Sequence, residues 1–74
     1  MIYCVRDEDV VAYILAEGFR QIGGSAEGRA FVKEDLRLSV RAPNQDGHIP
    51  EILVNDAFDA AGLVPPTWDV FWCD

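Results

Sequence analysis

From Ala42 to the end the chain contains no lysine or arginine. Asp46, Glu51, Asp56, Asp59, Asp69 and Asp74 all lie in that stretch, which therefore carries nearly the whole net charge of −7. The six basic residues (Arg6, Arg20, Arg29, Lys33, Arg37 and Arg41) share the first part with seven acidic ones. So one-sided a second part repels a phosphate backbone, because nucleic-acid affinity rests on basic side chains displacing counterions. It suits a basic protein partner, or serves only to keep a small protein dissolved.

Other scarcities narrow the field further. With one histidine, His48, and two cysteines near opposite ends, Cys4 and Cys73, the sequence has no metal-ligand spacing and no nucleophile with an obvious base. Gly23-Gly24-Ser25 lacks the strand-to-helix context and the lysine of a phosphate-cradling loop, and no cofactor is implied. No apolar run approaches the ~18 residues of a membrane helix, and no basic-plus-apolar leader opens the chain. The expectation is a cytoplasmic protein with two free thiols, a disulfide joining the ends being the alternative.

What is present suffices for one domain over residues 1–74. Apolar residues make up 50% of the sequence, enough for a core and against disorder. A chain of this length buries only roughly 60% of its unfolded surface, which leaves room for a shallow surface site but not a deep substrate cavity.

The hydrophobic spacing predicts an order of elements. Met1–Val5 is a short apolar stretch able to pair as a strand. Asp7 reads as the N-cap of a helix over Glu8–Glu17, with Val10, Val11, Ile14 and Leu15 on one face and Gly18 as its stop. Phe19–Ile22 is a brief strand ended by a turn at Gly23-Gly24-Ser25, and Gly28–Lys33 and Leu36–Arg41 are two more. A loop of two or four residues around Glu34-Asp35 sets Val32 opposite Arg37 and Phe31 opposite Leu38. Phe31, Leu36, Leu38 and Val40 then face the core, while Ala30, Val32, Arg37, Ser39 and Arg41 face away. Pro50 suits the first turn of a second helix, whose apolar face is Leu53, Val54, Ala57, Phe58 and Ala61 and whose end is Gly62. The apolar segment Trp68–Cys73 should dock, a strand beside Met1–Val5 being one arrangement, which brings Cys4 near Cys73. The expected fold is α+β: a two-layer α-β-β-β-α sandwich with two helices on one face of a three-stranded antiparallel sheet, plus a docking C-terminal tail.

Several short motifs fall in a telling order: Glu17-Gly18-Phe19 at the helix end, Gly24-Ser25 at the first turn, Pro43 after the third strand, Ile49-Pro50 before the second helix, and Ala60-Ala61-Gly62-Leu63 at its end. Over residues 10–65 the chain resembles the HicA-type toxins, small ribonucleases with a double-stranded-RNA-binding-domain-like (dsRBD-like) fold; residues 66–74 form a tail extension. The resemblance implies the same α-β-β-β-α order and a toxin–antitoxin setting, with an antitoxin as partner. Nucleases of that family carry a catalytic histidine directly after the Gly-Ser pair, where this chain has Ala26.

Three functional expectations follow. The first is a protein-binding module without nuclease activity, an inhibitor or interaction domain, engaging a basic partner or an antitoxin through Asp46, Glu51, Asp56, Asp59, Trp68 and Trp72. The second is a divergent metal-independent ribonuclease, in which His48, oriented by the nearby Asp46, supplies the only side chain ordinarily titrating near neutrality. The third is RNA or DNA binding without cleavage, through Arg29, Arg37 and Arg41, with Arg20 and Lys33 in support. A homo-oligomer is also open, should Trp68, Phe71 and Trp72 not pack on their own domain.

Overall fold

Two helices and two three-stranded antiparallel sheets make up the computed structural model, which describes residues 2–73. Met1 of the expected first strand and Asp74 of the acidic set lie outside the described residues. The elements run β1 (Ile2–Arg6), α1 (Asp7–Ala16), β2 (Arg20–Gly24), β3 (Gly28–Lys33), β4 (Leu36–Arg41), β5 (His48–Pro50), α2 (Glu51–Ala60) and β6 (Phe71–Cys73).

The α+β class stands, and the β2-β3-β4 sheet has the expected register, with Phe31 opposite Leu38 and Val32 opposite Arg37. Alternation then does the sorting. Phe31, Leu38 and Val40 are buried, while Arg37, Ser39 and Arg41 are exposed on the other side. The β3–β4 loop takes the two-residue form, with Glu34 at φ 54°. β2 runs through both glycines instead of stopping before them, with a register shift between Gln21 and Gly23. The turn falls at Ser25–Glu27, where the Glu27 amide donates to Ser25 Oγ (3.1 Å) and the Ser25 amide to the Gly28 carbonyl (2.8 Å).

The tail docks as a strand, and it builds more than a tail. β6 and β5 pair antiparallel with opposite edges of β1 to make a second sheet, β5-β1-β6, which the expected single sheet did not include. Pro50 closes β5 and precedes α2 instead of sitting in its first turn. Cys4 and Cys73 are joined by a disulfide with Cα atoms 5.9 Å apart, within the ordinary span of such bridges. The expectation of two free thiols is thereby corrected: no described cysteine is free.

One core cluster connects the layers. Val10 and Ile14 of α1, Val54 and Phe58 of α2, Phe31, Leu38 and Val40 of the first sheet and Val5 and Ile49 of the second all belong to it. Gly18, at φ 95°, turns the chain from α1 into β2, a conformation that costs an L side chain roughly 1–2 kcal/mol. α1 begins one residue earlier than its sequence suggests. Arg6 occupies the N-cap position without a side-chain capping bond, and Asp7 is the first helical residue, its carboxylate engaged elsewhere.

Candidate functional site

Each basic residue meets a different fate, and together these fates define one surface. Arg29 shares its side of β3 with Phe31 and reaches the N-terminus of α1. There its Nη1 donates to Asp7 Oδ2 (3.1 Å), its Nη2 contacts Asp7 Oδ1, and the two side chains are only 14% and 23% exposed. The expectation that Arg29 joins Arg37 and Arg41 as a nucleic-acid contact is therefore corrected, because its charge is spent inside the fold. Lys33 Nζ donates to the Glu17 carbonyl (2.7 Å) and stands over the Phe19 ring. Arg6 pairs with Asp69 at 3.5 Å and lies over the Phe71 ring.

Arg20, Arg37 and Arg41 remain, and among the described residues none of the three is in an ion pair. All three are exposed. The register puts Arg20, Val32 and Arg37 in one row across β2, β3 and β4, and Arg41 further along β4 on the same face. Arg20 thus takes the place that the sequence reading gave to Arg29.

The acidic and aromatic residues separate as well. Trp68 is only 7% exposed; its Nε1 donates to Asn55 Oδ1 (2.9 Å), and its ring meets Phe58 and Tyr13 edge-on at 5.6 and 5.5 Å. It is a core residue, not the partner contact the sequence suggested. Trp72 is 58% exposed and stacks on Tyr3, itself 47% exposed, with ring centroids 4.1 Å apart. These two residues face one another directly across β1 and β6. Ile2, Glu51 and Ile52 line a depression of about 350 Å³ with them, Ile52 being 67% exposed. Asp56 and Asp59 follow Ile52 by one and two turns along α2 and are exposed. Asp46 stands apart, in a separate depression beside Arg6 and Glu8.

His48 is half-buried, its ring edge-on to Phe71 at 4.6 Å. The expected orienting contact from Asp46 does not form. Asn44 holds the loop backbone instead, its Oδ1 accepting from the backbone amides of Asp46 (2.9 Å) and His48 (3.0 Å). His48 lines a cleft of about 670 Å³ together with Ala26, Glu27, Arg41 and the Cys4–Cys73 bridge. An imidazole, a carboxylate and a guanidinium thus border one space, which Ala26 also lines. Glu27 and Arg41 were not among the residues expected to act with His48, since only folding brings the β2–β3 turn to β5.

Among the described residues no group of His, Cys, Asp and Glu is arranged to hold a metal ion. No helix there is long and apolar enough to cross a membrane. No protein-family model matches the chain, and neither a curated protein nor a solved structure is significantly similar to it.

Proposed function

We propose that this is a protein-binding domain whose docking surface is the Tyr3–Trp72 pair with Ile2 and Ile52, rimmed by Glu51, Asp56 and Asp59. The observation that carries the reading is the exposed stack itself. Two large rings are held face to face and half in water, beside a bare isoleucine, and the stretch from Ala42 on, which carries Trp72 and Ile52, has no basic residue. Aromatic side chains on a rigid support are the usual anchors of protein interfaces, and a rim of one charge steers and selects the partner. The partner fitted to it presents an apolar segment flanked by lysine or arginine.

The scaffold we read as HicA-like, with a dsRBD-like α-β-β-β-α order in α1-β2-β3-β4-α2 and Ala26 at the catalytic histidine's position. In a toxin–antitoxin pair the partner is the antitoxin. In a cytoplasmic setting thiol reductants would open the Cys4–Cys73 bridge, leaving β6 held by strand pairing and the contacts of Phe71 and Trp72. The test is a titration of the purified protein against its candidate partner. Trp72→Ala and Tyr3→Ala should each weaken binding by at least about tenfold, and added salt should slow association. Unchanged affinity in both variants defeats the reading, and sedimentation at rising concentration distinguishes a second copy as the partner.

A second reading rests on the His48 cleft. There His48 would exchange protons with an RNA 2′-hydroxyl while Arg41 holds the phosphate. Cleavage of RNA by the pure protein, lost in His48→Ala, is its signature. Absence of cleavage and of growth arrest on expression dismisses it.

A further inference from the structure

The open face of the β2-β3-β4 sheet is a second surface, opposite in sign to the first. We propose that it binds a short acidic segment of a protein, whose carboxylates pair with Arg20, Arg37 and Arg41. Arg6 and Arg29 are paired with carboxylates and Lys33 is tied to a carbonyl, whereas the three basic side chains without such a bond among the described residues are gathered on this one face. Chance placement of exposed strand residues does not require that partition.

The dimensions suit an extended peptide. Arg20 and Arg37 are two strand spacings apart, about 10 Å, and Arg37 and Arg41 are four residues apart along β4, about 13 Å. An extended segment lying along β4 presents side chains to one side at every second residue, so carboxylates at positions i and i+4 match the second distance. Between the arginines the floor is made of Gly28, Ala30 and Ser39, side chains small enough for a backbone to lie close. A shallow groove of about 490 Å³ runs over this floor.

Charge and chemistry also set the ligand's length and kind. Glu34 and Asp35 stand at the β3–β4 turn beyond Arg37, and Glu27 borders the groove near Arg41. Both ends of the cationic strip lie within about a Debye length of carboxylates, ~8–10 Å at moderate salt. A polyanion that continues past the face is repelled at both ends, whereas a segment of four or five residues stays on it. No aromatic ring stands on this face among the described strand residues, so it lacks the platform on which single-stranded bases stack.

The test uses the intact, oxidised protein and a fluorescent peptide of about eight residues alternating alanine and glutamate, followed by anisotropy. Saturable binding is expected at about 50 mM salt, weakening several-fold at about 200 mM. Arg37→Glu with Arg41→Glu should lose at least about tenfold in affinity, and the milder Arg37→Gln should lose part of it, with unchanged far-ultraviolet circular dichroism. Trp72→Ala should bind the peptide like the unaltered protein, which separates this face from the aromatic one. The proposal is overturned by no binding, or by full binding in the Arg37/Arg41 variant. It is equally overturned if a single-stranded oligonucleotide of the same length binds more tightly through the same arginines. Self-association that Arg37→Glu abolishes would overturn it too, since a second copy would then occupy the face.

Discussion

Asp7, the first residue of α1, and Arg29, on β3, form the least exposed ion pair among the described residues and tie the helix start to the sheet. The carboxylate sits where the helix dipole favours it, and the guanidinium is fixed further by a 3.4 Å bond from Nη2 to the Arg41 carbonyl. Arg29 Nε is buried without a hydrogen-bond partner, so this guanidinium has little else to fall back on. Asp7→Ala should therefore cost about 1–3 kcal/mol, because it strands a mostly buried cation. Arg29→Met should cost less, since it removes the charge and keeps the stem. A urea-denaturation double-mutant cycle measures the coupling. If the two single costs simply add, the pair contributes nothing through its contact.

The Cys4–Cys73 bridge closes a loop across nearly the whole chain, with a sequence separation of 69. Restricting so long a loop in the unfolded chain should stabilise the fold by about 2–5 kcal/mol. The double substitution Cys4→Ser/Cys73→Ser should lower the urea midpoint accordingly, and dithiothreitol should have the same effect on the unaltered protein and none on the variant. Because β6 is only three residues long, Trp72 should also become more accessible to acrylamide quenching in the variant. Equal midpoints with and without reductant would show that the bridge contributes no stability.

Gly28 and Gly23 lie in the same sheet but answer to different constraints. A Cβ on Gly28 would come within 2.8 Å of the Val40 carbonyl oxygen, a backbone atom that cannot swing away, whereas one on Gly23 meets nothing within 4 Å. Gly28→Ala should cost about 1–3 kcal/mol through overpacking, with Gly23→Ala within about 0.5 kcal/mol of neutral. Thermal unfolding of the two variants side by side decides it. Similar losses in both would mean that the strands do not approach so closely.

The parts of the fold legible in the sequence are those governed by local period. β3 and β4 were bounded correctly because Phe31, Leu38 and Val40 alternate with Arg37, Ser39 and Arg41, and their register followed from a short turn. That alternation also placed Arg29 inward with Phe31, a signal that Arg29 was no surface contact, and one outweighed by its charge. β5 left no trace, since three residues ending in proline carry no period and exist as a strand only because β1 lies beside them. Trp68 and Trp72 could not be told apart in sequence. One was drawn inside by Asn55 and Phe58 and the other was held outside by Tyr3, all distant in the chain. The His48 cleft was hidden for the same reason, being assembled from the β2–β3 turn, the end of β4 and β5.

Tyr13 provides a handle on pH. Its phenol is pushed above its ordinary value of 10.0, first by desolvation and then by its hydrogen bond to Glu17 and the repulsion of that carboxylate. The bond, from the hydroxyl to Glu17 Oε1, is 3.1 Å long. A group whose pKa is higher in the folded state contributes stability that is complete below the unfolded value. That contribution is lost as pH rises from about 10 through the folded value. Relative to Tyr13→Phe, the unaltered protein should therefore hold a constant difference in urea midpoint between about pH 7 and 9 and fall relative to the variant above about pH 10. Glu17→Gln removes the repulsion and should bring the ultraviolet titration of the Tyr13 phenol to lower pH. An unchanged titration in Glu17→Gln would exclude the repulsion and leave desolvation and the hydrogen bond, which an amide oxygen still accepts, as the causes of the shift.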